Sequence, residues 1–247
     1  EDREKLFVVK PLYQRSLIVA AGPFANFLLA IVIFAFIYMF AGKDFTPAQI
    51  QEVQLESPAH KAGIESGDII KSINDKEVNS IMEVSAFINS SSSKEIAIGV
   101  LRNNNQLQFV LEPTIIKSTD SLGNQTNKKV IGIKIAPLNQ EMNRQRLGPA
   151  SALFYAIKET WFVIEASWNF IISMFKGTGD TTQLGGPIKI AKITGQVAKL
   201  GFIAFLSIMA YISISLGFIN LLPIPMLDGG HLMFYAFEKV LGRPLTQ

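Results

Sequence analysis

Asn220-Leu-Leu-Pro-Ile-Pro-Met-Leu-Asp-Gly-Gly-His231 ends a long uncharged stretch with two prolines, a carboxylate and a pair of glycines. Pro223 and Pro225 each remove a backbone donor, so a helix entering this segment breaks there. Irregular backbone at membrane depth is tolerated only where it is buried in protein or lines a wet cavity. A carboxylate such as Asp228 is costly in hydrocarbon unless it is paired or bound to a cation, which makes it a functional candidate. Gly229 and Gly230 let backbone segments approach closely. The plainer alternative is that Asp228 caps a helix at the membrane interface.

The flanking sequence supplies the membrane context. Residues 16–42 and 200–227 carry no charge, and each run exceeds the roughly 20 residues needed to cross a bilayer. The chain is 49% hydrophobic and 17% charged, richer in apolar residues than an ordinary soluble domain. Its net charge of +3 gives no argument for nucleic acid, and with 0 Cys no disulfide framework or thiolate metal site is possible. Residues 149–176 are apolar but carry Ser151, Tyr155, Lys158, Glu165 and Asn169 along one helical face, beside Trp161 and Trp168. That pattern predicts an amphipathic helix lying in the interface. Arg3, Lys5, Lys10 and Arg15 precede the first span, and Lys239 and Arg243 follow the second. Two crossings place both clusters on one side, the cytoplasmic one by the positive-inside tendency, and the intervening chain on the other.

Between the spans, residues 46–137 read as a soluble module of short alternating runs broken by turn residues. Strands are predicted at 51–55, 68–73, 95–102, 106–113 and 130–136, a helix at 80–90 and a hairpin turn at 103–106. Residues 118–129, rich in Ser, Thr, Asn, Gly and Lys, read as a polar loop. The expected fold class is therefore an α-helical polytopic membrane protein with an inserted α+β extracytoplasmic domain. Its order is a lead-in at 1–15, a span at 16–42, the module at 46–137, an interfacial helix at 149–176, a second span at 200–227 and a cytoplasmic-side end at 228–247.

Two resemblances add to this. The segment Ser57-Pro-Ala-His-Lys-Ala-Gly-Ile-Glu-Ser-Gly-Asp-Ile-Ile-Lys-Ser-Ile-Asn-Asp-Lys-Glu-Val78 resembles the signature of bacterial PDZ domains, which bind extended peptides by strand addition. A role as a steric plug or spacer is the alternative. The segment 220–231 resembles the N-x-x-P-x-P-x-LDGG signature of the site-2 protease family of intramembrane zinc metalloproteases, with every fixed position met. Phe7-Val-Val-Lys-Pro-Leu-Tyr-Gln-Arg15 and Ala21-Gly-Pro-Phe-Ala-Asn26 look like that family's lead-in and GP-x-x-N helix, and Gly185-Gly-Pro-Ile188 resembles its GPI segment. The order of motifs is most similar to the bacterial members that cleave anti-sigma factors, here with one PDZ-like domain.

The resemblance implies a zinc ion held by two His of an HExxH helix and by Asp228, with a position left for water. It implies that Asn220 contacts substrate or the developing oxyanion, and that Gly22, Pro23, Asn26, Pro223, Pro225 and Gly229 line the site. It further implies a single-pass membrane substrate, regulated intramembrane proteolysis and a place in the bacterial inner membrane, with the PDZ-like domain on the periplasmic side. The sequence departs from the pattern in one respect. Its two histidines are His60, in the PDZ-like turn, and His231, and neither belongs to an HExxH. The HExxH helix is expected upstream of Glu1 and a final helix beyond Gln247, so these 247 residues alone are expected neither to hold zinc tightly nor to cleave peptides. The competing class is a non-catalytic membrane PDZ adaptor or a decayed paralogue. A PDZ-bearing serine protease finds no GNSGG-like motif here, and two His give a triad little to build on.

Overall fold

The computed structural model describes residues 10–91, 93–119, 125–138, 141–175 and 187–241. In chain order the elements begin with α1 (Leu12–Phe40), β1 (Lys43–Asp44), β2 (Ala48–Val53), α2 (Pro58–Ala62), β3 (Ile69–Ile73), β4 (Lys76–Glu77), α3 (Ile81–Ser90), β5 (Ile96–Arg102) and β6 (Asn105–Leu111). They continue with β7 (Thr114–Thr119), β8 (Gln125–Val130), β9 (Ile133–Pro137), β10 (Arg144–Gln145), α4 (Pro149–Phe175), α5 (Pro187–Ala198), α6 (Phe202–Leu221) and α7 (Asp228–Leu241). Phe7–Val9 of the lead-in, Arg3, Lys5, Gly185, Gly186 and Arg243 lie outside the described residues.

Contacts divide the chain into two compact units, one of residues 1–37, 148–167 and 197–247 and the other of residues 38–147 and 168–196. The first is helical. Among the described residues, α1 and α6 are the two helices long and apolar enough to cross a membrane. The second span ends earlier than its uncharged run: α6 stops at Leu221, and residues 222–227 are irregular before α7 begins at Asp228. The prolines explain the early stop, since Pro223 and Pro225 cannot supply the backbone donors that another helical turn requires. Pro149–Phe175 form one continuous helix, with Ala152, Ala156 and Thr160 as its buried residues, and residue 176 of the expected segment lies outside the described residues.

The second unit is built on a sheet in the order β6-β5-β3-β2-β9, with β4 paired to β3. Inward-facing residues alternate along the strands, and Ile50, Ile70, Ile73, Ile96, Ile98 and Val100 form the core with Val84 and Ile88 of α3. Ser80 caps α3 by accepting a hydrogen bond from the Met82 N–H. Asn103 and Asn104 make the β5–β6 turn with φ of 49° and 66°, left-handed geometry that Asn tolerates and that fits a tight hairpin. The predicted strands are all present, but β2 and β9 are displaced by up to three residues.

One expectation fails. Residues 118–129 are not simply a loop: β7 and β8 pair from Thr114↔Val130 to Thr119↔Gln125 as a separate two-stranded ribbon. Ile115 and Ile116 of that ribbon are both exposed. Its Ser, Thr, Asn and Lys residues leave no apolar–polar alternation to reveal it.

A polar clasp closes the neck of this unit. The Leu147 N–H donates to Tyr38 O at 3.0 Å, and the Phe45 N–H donates to Asn143 O at 2.7 Å. Asp44 accepts from Ser80 Oγ at 2.9 Å and from the Thr46 N–H at 3.0 Å, while Lys43 Nζ sits 3.4 Å from Glu83 Oε1. The neck thereby shares its side chains with the N-terminal turn of α3.

Asp68 is the buried charge of the sheet, 1% exposed, and it accepts from Arg102 Nε and Nη2 at 2.7 Å each and from the Glu65 N–H at 3.0 Å. Burial pushes its pKa upward, but the bonds from Arg102 and Glu65 outweigh burial and hold the carboxyl below its ordinary value. A depressed carboxyl stabilises the fold above its unfolded pKa, and the contribution disappears as pH falls through the folded value. Asp68→Ala removes two of the bonds that Arg102 donates, leaving it Glu65 and the Gly63 carbonyl, and is predicted to cost roughly 2 kcal/mol at pH 7. Hydrogen exchange of the β3 and β5 amides checks this. The gap between wild type and variant should be complete above about pH 4 and shrink below it.

Candidate functional site

The helical unit brings three segments together. Pro23 lies inside α1, where its missing N–H interrupts the ladder, and its side chain is fully buried. Three residues on, the Asn26 carbonyl accepts a hydrogen bond from Ser213 Oγ of α6 at 2.8 Å. Gly217, one helical turn after Ser213, admits this close approach. A Cβ on it would lie 2.9 Å from Pro23 O and 3.2 Å from Asn26 Cβ, tighter than ordinary van der Waals contact allows.

The break after α6 is equally confined. Ile224 N–H donates to Leu222 O at 2.7 Å and Leu227 N–H to Ile224 O at 3.2 Å, so the segment turns tightly on itself. Met226 takes a left-handed φ of 76° and is 94% exposed, a costly conformation held with no side-chain burial to offset it. Gly229 and Gly230 are buried, and a Cβ on Gly229 would collide with Leu221 O and Leu222 O, one on Gly230 with Ile224 O. The carbonyls freed by the break therefore fill the space beside the glycine pair.

Asp228 opens α7, where the helix N-terminus favours a carboxylate. Its Oδ2 lies 3.4 Å from where a Cβ on Gly22 would stand, so the GP-x-x-N segment of α1 faces the carboxylate across a glycine. The far end of α7 returns along α1: Arg15 Nη2 lies 3.4 Å from Glu238 Oε2, and the Arg15 guanidinium sits 5.1 Å from the Tyr235 ring centre. Gly22 is seven residues beyond Arg15, about 10 Å along the helix axis.

The sequence-predicted residues divide accordingly. Gly22 and Asp228 meet, Gly229 packs on the Leu221 and Leu222 carbonyls, and Pro23 and Asn26 pack on α6. Pro223 and Pro225 are exposed in the break, and Asn220 is half-buried in the last turn of α6. His231 is half-buried one turn into α7, while His60 is exposed on α2 in the other unit. Among the described residues there is no group of three His, Cys, Asp or Glu placed to hold a metal. One carboxylate does not make a zinc site, so these residues alone do not fit the ion. Ser213 and Gly217 escaped sequence reasoning. Their spacing of four within an apolar helix is the signal that would have found them.

A family model described as Peptidase family M50 matches residues 1–247. A Mesorhizobium japonicum protein bearing a zinc-metalloprotease name is 36% identical over 250 residues, covering 100% of this chain and 67% of that protein. The regulator of sigma-W protease RasP of Bacillus subtilis is 32% identical over 243 residues, covering 98% of this chain and 54% of its own length. Metalloprotease MmpA of Caulobacter vibrioides is 30% identical over 255 residues, with 98% and 63% covered. The chain thus spans about two thirds of the length of the first relatives it matches, at 67%, 65% and 66%. Among solved structures, the PDZ domain of an SdrC-like protein from Listeria monocytogenes covers 37% of this chain and 88% of its own at 21% identity. Its TM-score of 0.30 is too slight to define the fold.

The glycine contacts generate a paired prediction. Gly229→Ala forces the Leu221 and Leu222 carbonyls to move and should destabilise the protein by about 2 kcal/mol. Gly195→Ala, in α5 with nothing within 4 Å of the added carbon, should stabilise by about 0.5–1 kcal/mol. Thermal unfolding in detergent distinguishes the two, and equal effects would contradict the packing described.

Proposed function

Because the chain belongs to peptidase family M50, we propose that it is part of an intramembrane zinc metalloprotease of the site-2 type and contributes one ligand, Asp228, to the metal. The single observation that carries the proposal is the meeting of Asp228 with Gly22 at the break between α6 and α7. A carboxylate about 10 Å along α1 from the basic end of a span has strong reason to serve a cation rather than remain bare in hydrocarbon. The two remaining zinc ligands come from an HExxH helix elsewhere in the whole protein.

Within that scheme the residues of this chain have separate tasks. Asn220, in the last turn before the break, offers amide donors to a peptide carbonyl of the substrate. The irregular residues 222–227 present backbone that helices keep internally paired, which suits an unwound substrate segment. Gly22 keeps the space beside the carboxylate free of a side chain, Gly229 and Gly230 make room for the carbonyls of the break, and Pro23 and Asn26 fix α1 against α6. The PDZ-like signature in the other unit favours contact with an extended peptide, along the lines of strand addition to a sheet edge. The name of the similar RasP, a regulator of sigma-W, supports a membrane-bound regulatory protein as substrate class. The site lies in the bacterial inner membrane, with the PDZ-like domain on the periplasmic side, and the substrate is a single-pass protein cut within its transmembrane helix.

In the full-length protein, Asp228→Asn should reduce cleavage of a transmembrane substrate at least about 1,000-fold while leaving membrane insertion unchanged. Asn220→Ala should lower it by roughly 100-fold. A gel assay of substrate cleavage, with membrane fractionation as control, reads both. Near-normal cleavage by the Asp228 variant would remove Asp228 from the metal site.

A further inference from the structure

Polar residues, not apolar ones, line the inner side of α7. Asp228, His231, Tyr235 and Glu238 recur at intervals of three and four residues, which places them along one side of the helix, and all four are half-buried. Of its larger apolar residues, Phe234, Phe237, Val240 and Leu241 are exposed. Apolar burial therefore does little to choose which side of α7 meets its neighbour, and polar contacts must choose it. At one end, Asp228 Oδ2 stands 3.4 Å from the Cβ position of Gly22. At the other, Arg15 Nη2 lies 3.4 Å from Glu238 Oε2, and its guanidinium sits 5.1 Å from the Tyr235 ring centre. Arg15 is itself held from behind, because its Nε donates to Lys10 O at 3.1 Å, on the chain that leads into α1. Gly22 follows Arg15 by seven residues, and Tyr235 follows Asp228 by the same number. Seven residues are close to two helical turns, so each pair lies on one side of its helix and both gaps span about 10 Å. The helices thus run antiparallel in a single register, Gly22 opposite Asp228 and Arg15 opposite Tyr235.

We propose that Arg15 is a positioning residue for Asp228: its pairing with Glu238 and Tyr235 holds α7 in the one register on α1 that sets the carboxylate opposite Gly22. The inference rests on Asp228 being a working residue of the proposed protease. A rod fixed at one end still turns about its axis and swings about that end. The glycine pair anchors the start of α7 on the carbonyls of the break, but those contacts lie within two residues of Asp228. A slip of one residue along α1 shifts α7 by only about 1.5 Å yet turns Asp228 about 100° away from Gly22. Arg15, two turns away, is the second fixed point that prevents it. With side chains 21% and 13% exposed, Arg15 and Glu238 are set into the seam between the helices, unlike an ordinary surface ion pair. Arginine suits the task because one planar guanidinium stacks on Tyr235 and bonds Glu238 together, where lysine offers a point charge without that plane.

Cysteine cross-linking reads the register directly. Full-length protein stripped of metal by a chelator carries Gly22→Cys with Asp228→Cys and is treated with a short bifunctional thiol reagent, the two single-cysteine proteins serving as controls. Adding Arg15→Gln is expected to lower the cross-linked yield roughly fivefold, and exchanging the charges, Arg15→Glu with Glu238→Arg, to restore most of it. With Gly22 and Asp228 intact, Arg15→Gln should lower kcat on a transmembrane substrate roughly tenfold while KM changes less than about twofold, and the exchange should restore kcat. Cross-linking unchanged by Arg15→Gln overturns the positioning role. Lost cross-linking with normal kcat also overturns it when Asp228→Asn abolishes cleavage in the same assay. If Asp228→Asn cleaves normally, the protease reading of Asp228 fails, and the cross-linked yield alone decides the role of Arg15. Should Arg15→Gln fail to accumulate in membranes, the exchanged pair decides: cross-linking near the wild-type yield supports the pairing, and its loss overturns it.

Discussion

Carbonyl oxygens of Leu221, Leu222 and Ile224 stand where side chains on Gly229 and Gly230 would be, and the rest of the helical unit depends on that contact. A helix broken in an apolar setting must pair its carbonyls again close to the chain that released them, as Leu222 O does with the Ile224 N–H and Ile224 O with the Leu227 N–H. Two consecutive glycines let α7 start against them without steric cost. The same junction fixes Asp228 as the first residue of α7 and turns its carboxylate toward Gly22. Glycine, proline and aspartate in this order are thus parts of one geometric solution.

Across the unit the same economy recurs at α1 and α6. Pro23 interrupts the ladder of α1, Gly217 admits the close approach of the Pro23 carbonyl, and Ser213 donates to the Asn26 carbonyl three residues further on. Hydrophobic burial gives little drive between helices in lipid, so close packing and a few hydrogen bonds hold them in register. The α+β unit obeys the opposite rule. Its sheet is assembled around branched aliphatic side chains, and the buried charge of Asp68 is matched by Arg102 and a backbone N–H.

The legible parts of the sequence were those with strong local physics. Uncharged runs marked α1 and α6, Ser80 marked the start of α3, and the Asn-rich tip marked the β5–β6 turn. Both prolines of the break announced it, though the uncharged run overstated the length of α6 by the residues after Leu221. The β7–β8 ribbon was read as a loop because Lys, Thr, Asn and Ser on both its faces leave no period to detect. α2 lay hidden inside a glycine-rich turn, and β1 with β10 are two residues each, too short for any pattern. At the site, Asp228 stood out through its cost in an apolar segment. Its meeting with Gly22 spans more than two hundred positions, and only the family resemblance pointed to it. Ser213 and Gly217 read as ordinary residues of an apolar helix until the packing gave them partners.

X-ray absorption at the zinc edge tests the central claim, that Asp228 binds the metal in the whole protein. This chain has 0 Cys, so Asp228→Cys introduces one sulfur at a known place. Spectra of the full-length protein with and without that change should differ by one zinc–sulfur distance of about 2.3 Å. A nitrogen and oxygen shell identical in both proteins, with zinc retained, would contradict the assignment of Asp228 as a ligand.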